Sequence, residues 1–450
     1  MLNVAIVVAA AAIFVSPAPA GVSPTVMHAA GLVALCTGLW ATQALPEHVT
    51  GLMFLAASAL AAVAKPPVIF SGFSSGTLWL VLGGLIIAEA VRHTGLGERV
   101  AWLLLGRFTG SYVSTICGIV IVAGLLAFLM PATLARIILL LPIIAALAKR
   151  VGHESGSPAY NGMCLAAILA SYQIGAAILP ANAPNLAIAG TSEMMYGTVL
   201  TYGEYLGLQF PVMGFVKGAL IVAMTCWMFP AEVKGLAGGS ATKPMSTEEK
   251  RLAGILLAAL VMWATDFLHR IHPGWIGLVA GVLCILPRVG VLPAAAFNDR
   301  IKYGPYFYIG SVLGLGAVII DTGLARALGG AVLPMLNLRE GSDLLNFVVL
   351  SVMSTLAGML TTNPAQAGLT VPLAEPIAQA IGWPLKAVVM TFAVGITTVV
   401  LPYMVPPVVV GLRIVGVEFR VAARFTLALA AAGVPLLVVN YAWWRVVGFL

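Results

Sequence analysis

Two short strings combine hydroxyl, amide and guanidinium side chains with proline. One is Met130-Pro131-Ala132-Thr133-Leu134-Ala135-Arg136, the other Thr361-Thr362-Asn363-Pro364-Ala365-Gln366. Nine residues after Thr133 comes Pro142, and nine after Asn363 comes Pro372. Small polar side chains beside a proline suit the tip of a helical hairpin, where free N–H groups can hold an anion and carbonyls a small cation. Arg136, set among Leu134, Ile137 and Ile138, is costly at membrane depth, so it should face a cavity or a partner. Its planar fork suits a carboxylate, which predicts substrate contact. The competing reading is snorkelling to an interface, or a structural pair with an acid such as Glu375. Taken singly, Thr133, Thr362 and Asn363 would do no more than bond neighbouring helices. Their matched placement makes them site candidates.

Further strings repeat in the same order. Trp40-Ala41-Thr42 returns as Trp263-Ala264-Thr265, and Thr94-Gly95-Leu96 as Thr322-Gly323-Leu324. Leu179-Pro180, followed by Pro184 and Gly190, returns as Leu401-Pro402, followed by Pro406 and Gly411. Such internal repetition predicts two related halves, and prolines at matching places predict helices broken near the bilayer midplane. A broken helix leaves N–H and C=O groups without partners, and in hydrocarbon these demand a polar ligand. Pro184, Asn185 and Pro406 therefore join the candidate site. Spacing alone leaves open whether the repeats are parallel or inverted.

The elements that carry these residues are set by composition. Of 450 residues, 61% are hydrophobic and 9% charged, too few charges to cover a water-soluble surface. Apolar runs long enough to cross lipid extend from about Val26 to Leu45, Val113 to Met130, Phe210 to Phe229, Leu252 to Phe267, Trp275 to Leu292, Leu345 to Leu360 and Ala422 to Val439. They lack the period-2 alternation of a membrane barrel, so the expected class is an all-α polytopic membrane protein. Met1 to Ala20 ends like a cleaved leader but has no basic residue before its apolar run, so it is read as a first helix. Residues 1–230 form the first half, 231–251 a cytoplasmic linker carrying Lys234, Lys243, Lys250 and Arg251, and 252–450 the second half.

Several classes are excluded. The net charge of +7 fits basic cytoplasmic loops, and no basic patch with interleaved aromatics suggests nucleic acid. Cys36, Cys117, Cys164, Cys226 and Cys284 stand singly, without metal or disulfide spacing. His269 and His272 lack further ligands nearby and read as interfacial. No His-Glu-x-x-His string or phosphate-binding loop supports an intramembrane enzyme or a primary pump. A channel would favour a continuous polar path over paired hairpins in one chain. Glu89, Glu193, Asp321 and Glu375 are acids that a proton-coupled carrier could titrate.

On these motifs the chain resembles the divalent anion/sodium symporter family of the ion transporter superfamily. Trp40-Ala-Thr-Gln-Ala-Leu-Pro46-Glu-His-Val-Thr50 is similar to an early family string, and Asn182-Ala-Pro184-Asn185 through Gly190 to its Pro-Pro-Asn loop. Pro402-Tyr-Met-Val-Pro406-Pro407 resembles the equivalent second loop, and Thr362-Asn363-Pro364 stands at the second Ser-Asn-Thr signature. The first signature is replaced by Ala132-Thr133-Leu134, and Pro407 stands where the family commonly has Asn. Pro131, Ala135 and Arg136 match the plastid dicarboxylate translocator branch. The resemblance implies two inverted repeats, each with a re-entrant hairpin and a broken helix, divided into scaffold and transport domains. It also implies a homodimer in the inner membrane that moves a small divalent anion such as succinate or malate by alternating access. Sodium would be the coupling ion, held by Thr133, Asn185, Thr362 and Asn363. The alternatives are sodium-independent anion exchange, or a sulfate or tricarboxylate carrier. No enzymatic cofactor is expected.

Overall fold

The computed structural model describes residues 2–19, 22–108, 110–232, 244–293 and 295–450, and among these the secondary structure is entirely helical. Lipid enforces this, because a helix satisfies its backbone hydrogen bonds within one segment. Among the described residues seven helices are long and apolar enough to cross a membrane, including Pro24–Thr42, Tyr112–Leu129, Asp343–Leu360 and Phe419–Val446. Two others, Gly76–Thr94 and Gly304–Asp321, were not among the clear apolar runs of the sequence. The leading segment forms the helix Leu2–Val15. Most of the expected linker, including Lys234 and Lys243, lies outside the described residues. Its end is helical: Ser246 and Glu249 form a reciprocal capping box that starts Thr247–Ala264 and takes in Lys250 and Arg251.

The element order of the first half recurs in the second. Pro24–Thr42, Glu47–Leu60, Gly76–Thr94 and Leu96–Leu105 are matched by Thr247–Ala264, Pro273–Ile285, Gly304–Asp321 and Leu324–Leu336. The repeated strings perform the same local tasks. Trp40 Nε1 donates to Glu47 O at 3.1 Å and Trp263 Nε1 to Pro273 O at 3.1 Å, each tying one helix to the start of the next. Gly95 (φ 76°) and Gly323 (φ 82°) make the left-handed turn between the third and fourth helices.

Packing between halves is reciprocal. Gly76–Thr94 of the first half lies on Pro273–Ile285 of the second, and Gly304–Asp321 of the second on Glu47–Leu60 of the first. Glycines allow the backbones to touch: a Cβ on Gly83 would run into the Gly277 carbonyl, and one on Gly274 into the Gly76 carbonyl. Small-residue crossings of this kind replace the hydrophobic effect, which is absent between helices in lipid.

Each half then folds a hairpin. Tyr112–Leu129 and Thr133–Arg150 form the first, and the Tyr112 ring meets His153 edge-on at its base, with centroids 6.3 Å apart. The second pairs Asp343–Leu360 with a returning arm over residues 367–381, closed by Trp383 Nε1 donating to Asp343 Oδ1 at 2.9 Å. A broken helix follows each hairpin: Pro158–Gln173 with Ala183–Tyr196, and Leu385–Ile396 with Pro406–Val415. Pro184 and Pro406 fall in the first turn of the downstream half-helices, where the missing N–H costs no bond.

Candidate functional site

Both hairpin tips rest on the break of the helix that follows them. At the first, Thr133 opens the returning helix and its hydroxyl donates to Asn182 Oδ1, while Asn182 Nδ2 donates to Tyr172 O at 2.9 Å. Arg136 lies one turn further in and is 0% exposed. Its Nη1 donates to Met130 O and to Ala181 O (3.0 Å), and its Nη2 to Ser171 O (2.7 Å), Thr133 Oγ1 (3.2 Å) and Asn182 Oδ1 (3.3 Å). Only Nε lacks a partner. Gly175 makes room for the guanidinium, since a Cβ there would sit 2.5 Å from Nη2. The carbonyls belong to the hairpin tip and to the end and break of Pro158–Gln173. They are acceptors that a helix terminus leaves unused.

The second tip is built differently. Asn363 N donates to Met404 O at 3.0 Å, and its Nδ2 donates to Ile396 O (3.2 Å) and to Tyr172 Oη (2.5 Å). Tyr172 Oη in turn donates to Ile396 O at 2.9 Å, so this one hydroxyl joins the breaks of both halves. Thr362 Oγ1 shares a hydrogen bond of 2.8 Å with Tyr308 Oη, a ring that packs against Trp40. Gln366 stands where Arg136 stands in the first half. Its Oε1 accepts from Ser354 and Thr370, and its Nε2 has no partner. Asn363 Oδ1 and Thr361 Oγ1 are also buried and unpartnered. Buried polar atoms are rarely left so, and the second tip therefore keeps unused oxygen donors of the kind a small cation takes. At the first tip Thr133 Oγ1, which stands where Asn363 stands, accepts from Arg136, while Asn185 Oδ1 and Gln173 Oε1 at the adjoining break have no partner.

The remaining candidates are placed plainly. Asn185 donates through Nδ2 to Gly175 O (3.1 Å) and Ile178 O (2.8 Å), holding the first break, and its Oδ1 is unpartnered. Arg136 does not pair with Glu375, which is exposed. Asp321 is exposed too, and Glu89 pairs with Arg92. Glu193 accepts from Ser75 Oγ (2.8 Å), Gly76 N (3.1 Å), Thr77 N (3.2 Å) and Thr77 Oγ1, capping Gly76–Thr94. His272 caps its own helix through Gly274 N, and among the described residues no group of three or more metal-ligating side chains forms. The five cysteines are free thiols. Sequence reasoning did not single out Tyr172, Tyr308 or Lys217. Tyr172 and Tyr308 are ordinary residues of buried helices, and only the three-dimensional meeting of the breaks reveals their use, whereas Lys217, the one charge between Phe210 and Phe229, carries the same signal as Arg136.

Paired hairpins resting on paired broken helices, in a chain built of lipid-crossing helices, define a secondary transporter rather than an enzyme. The chain belongs to the family described as the sodium:sulfate symporter transmembrane region, which matches residues 1–450. It is therefore a multi-pass membrane protein and a transporter of small anions. It is 25% identical to a "membrane protein" of Cupriavidus necator, over 96% of this chain and 90% of that one. It is also 23% identical to the sodium-dependent dicarboxylate transporter SdcS of Staphylococcus saprophyticus, over 89% and 83%. Inner membrane protein YbhI of Escherichia coli is 26% identical over 67% of each chain. The crystal structure of the Alcanivorax borkumensis YdaH transporter shares the fold, with a TM-score of 0.58 at 16% identity, covering 84% of this chain and 87% of that one.

Proposed function

We propose that this protein is an inner-membrane carrier of divalent organic anions, C4-dicarboxylates such as succinate or malate, and that it exchanges one anion for another without sodium. The single observation that carries the coupling is the Arg136 guanidinium: it takes five protein oxygens at the first tip, a donor set that would otherwise suit a sodium ion. The named substrate class of the SdcS relative supports the dicarboxylate. So do the electrostatics of a tip rich in amides and fixed positive charge, which a sulfate or tricarboxylate would also satisfy. The anion sits between the tips, near Thr133, Arg136, Thr362 and Asn363, with Pro184 and Pro406 aiming the downstream half-helix N-termini at it. Sodium symport is the second reading. It is favoured by the unpartnered oxygens of Asn363 and Thr361, which with Thr362 would hold the ion at the second tip alone.

The movement is alternating access, with hairpins and broken helices travelling against the scaffold formed by the reciprocal helix pairs. The order of helices supports inverted repeats: with Pro24–Thr42, Glu47–Leu60, Gly76–Thr94, the first broken helix and Tyr202–Met228 each read as one crossing, an odd number, five, separates equivalent points of the two halves. Two copies associate through their scaffolds. Uptake of labelled succinate into proteoliposomes tests the reading. Uptake that needs internal succinate and ignores sodium supports exchange. Uptake driven by a sodium gradient and abolished by Asn363→Ala supports symport, and transport of sulfate or citrate alone removes the dicarboxylate.

A further inference from the structure

The two halves differ where the fourth helix meets the hairpin. In the first half Leu96–Leu105 packs straight onto the returning arm Thr133–Arg150, and a Cβ on Gly97 would sit 2.6 Å from Leu139 Cδ1. Its counterpart Leu324–Leu336 follows the spanning helix Gly304–Asp321 through the left-handed turn at Gly323. Ala325, which like Gly97 comes next after the repeated Thr-Gly-Leu string, lines a cavity of about 540 Å³ instead. One wall of that cavity is this helix, with Gly329 and Leu333, and the other is the returning arm, with Pro372 and Pro376. Tyr196, at the end of the first broken helix, lines it too and ties itself to the arm by donating to Val371 O (3.1 Å) and Pro372 O (3.2 Å). Glycines keep the space open: a Cβ on Gly329 would only touch Leu333 and Pro376 at 3.8 Å, and one on Gly330 would meet nothing within 4 Å.

Two opposite charges stand on the same cavity, Arg326 from the helix and Glu375 from the arm. Both are exposed, and among the described residues neither joins an ion pair. Exposed charges do not stand in hydrocarbon, and the exposed Asp321 ends the spanning helix five residues before Arg326, so this rim lies at headgroup depth. Met335, near the other end of the helix, is 82% exposed, which sets this helix against lipid. An apolar cleft at the lipid boundary beneath two unlike, unpaired charges suits an amphiphile that carries both signs, a phosphate for the guanidinium and an ammonium for the carboxylate.

We propose that this cavity binds one membrane phospholipid with a zwitterionic, primary-ammonium headgroup: phosphate on Arg326, ammonium on Glu375, and an acyl chain along Leu333. The lipid fills the second half's gap between helix and hairpin, a gap that the first half closes with Gly97 against Leu139. Naming the two walls as scaffold and moving unit rests on the carrier reading; the binding itself does not. A quaternary ammonium has no proton to give Glu375, and a headgroup with no ammonium leaves its phosphate facing a like charge. Phosphatidylethanolamine should therefore bind ahead of phosphatidylcholine and phosphatidylglycerol.

The test is native mass spectrometry of the full-length protein, stripped of lipid in detergent and titrated with each of these three lipids carrying the same acyl chains. Wild type is compared with Arg326→Ala, Glu375→Gln and Gly329→Leu. Wild type should take up one phosphatidylethanolamine in preference to the other two. Arg326→Ala should weaken that binding about fivefold, the share of one basic residue beside a membrane surface. Glu375→Gln should lose the preference and bind phosphatidylglycerol more tightly than wild type does. Gly329→Leu, which fills the space, should remove the one selective lipid. Equal affinity of wild type for all three lipids means that no headgroup is read, and a selective lipid that Gly329→Leu retains binds elsewhere; either result overturns the inference. If a variant does not fold, the order of the three lipids on wild type still decides. No transport is measured, so failure of the carrier reading appears in the succinate assay and leaves this result standing.

Discussion

Replacing Arg136 by serine should turn a fixed cation site into an exchangeable one. The guanidinium serves Met130 O, Ser171 O, Ala181 O, Thr133 Oγ1 and Asn182 Oδ1. Met130 O keeps the amide of Ala132, and Asn182 Oδ1 keeps Thr133. Ser171 O and Ala181 O lose the guanidinium donor, at about 1–3 kcal/mol each. Removing a buried charge offsets part of that cost, so the expected net loss is a few kcal/mol. The vacated oxygens are hard ligands, and a sodium ion at one hundred times its dissociation constant would return about 2.7 kcal/mol. Thermal unfolding of the purified full chain in detergent, in sodium chloride against choline chloride at equal ionic strength, measures this directly. Wild type should melt at the same temperature in both salts. Arg136→Ser should melt several degrees lower in choline and recover part of the difference in sodium. Equal stabilisation of wild type by sodium, or no recovery in the variant, would refute the claim that Arg136 occupies a cation's place.

Other substitutions probe the same construction. Tyr172→Phe removes a hydroxyl that donates to Ile396 O and accepts from Asn363, so unfolding midpoints should report about 1–3 kcal/mol of lost stability, with slower exchange. Gly175→Ala places a methyl against the Arg136 guanidinium, and overpacking of about 1–3 kcal/mol should appear both in the melting curve and as a reduced exchange rate. Glu193→Gln keeps the shape but loses the charge and part of the acceptor capacity that meets the start of Gly76–Thr94, so a loss of about 1–2 kcal/mol is expected by thermal denaturation.

The architecture was legible because lipid leaves a chain so few options. Composition alone forces helices, and the Leu-Pro and Pro-Gly spacing marks both breaks to within a turn. Gly76–Thr94 and Gly304–Asp321 were harder to see, for the glycines that lower their apolar character are the surfaces on which the helices cross. Thr133 meets the first break through Asn182 and Asn363 the second through Ile396, whereas Thr362 bonds Tyr308 on the unbroken helix Gly304–Asp321. Arg136 is buried as expected for an arginine inside an apolar run, yet its fork faces main-chain carbonyls. No sequence pattern announces a carbonyl, since every residue carries one, and which of them point inward depends on where the helices end in space. Lys217 was visible as the one charge between Phe210 and Phe229, and only its partners, in a segment 180 residues away, were not.

The two tips therefore meet the same electrostatic problem with different residues. Thr133 and Asn363 are equivalent, as are Arg136 and Gln366, each pair separated by 230 positions. In the first half the hairpin supplies its own cation. In the second the hairpin supplies a neutral amide, and the cation arrives from Tyr202–Met228, outside the hairpin. Exchanged by the repeat operation, these arrangements do not coincide, so the two cations differ in how firmly they are held. The Arg136 guanidinium is held at its own tip by five oxygens, whereas Lys217 reaches the second break on a flexible chain through three.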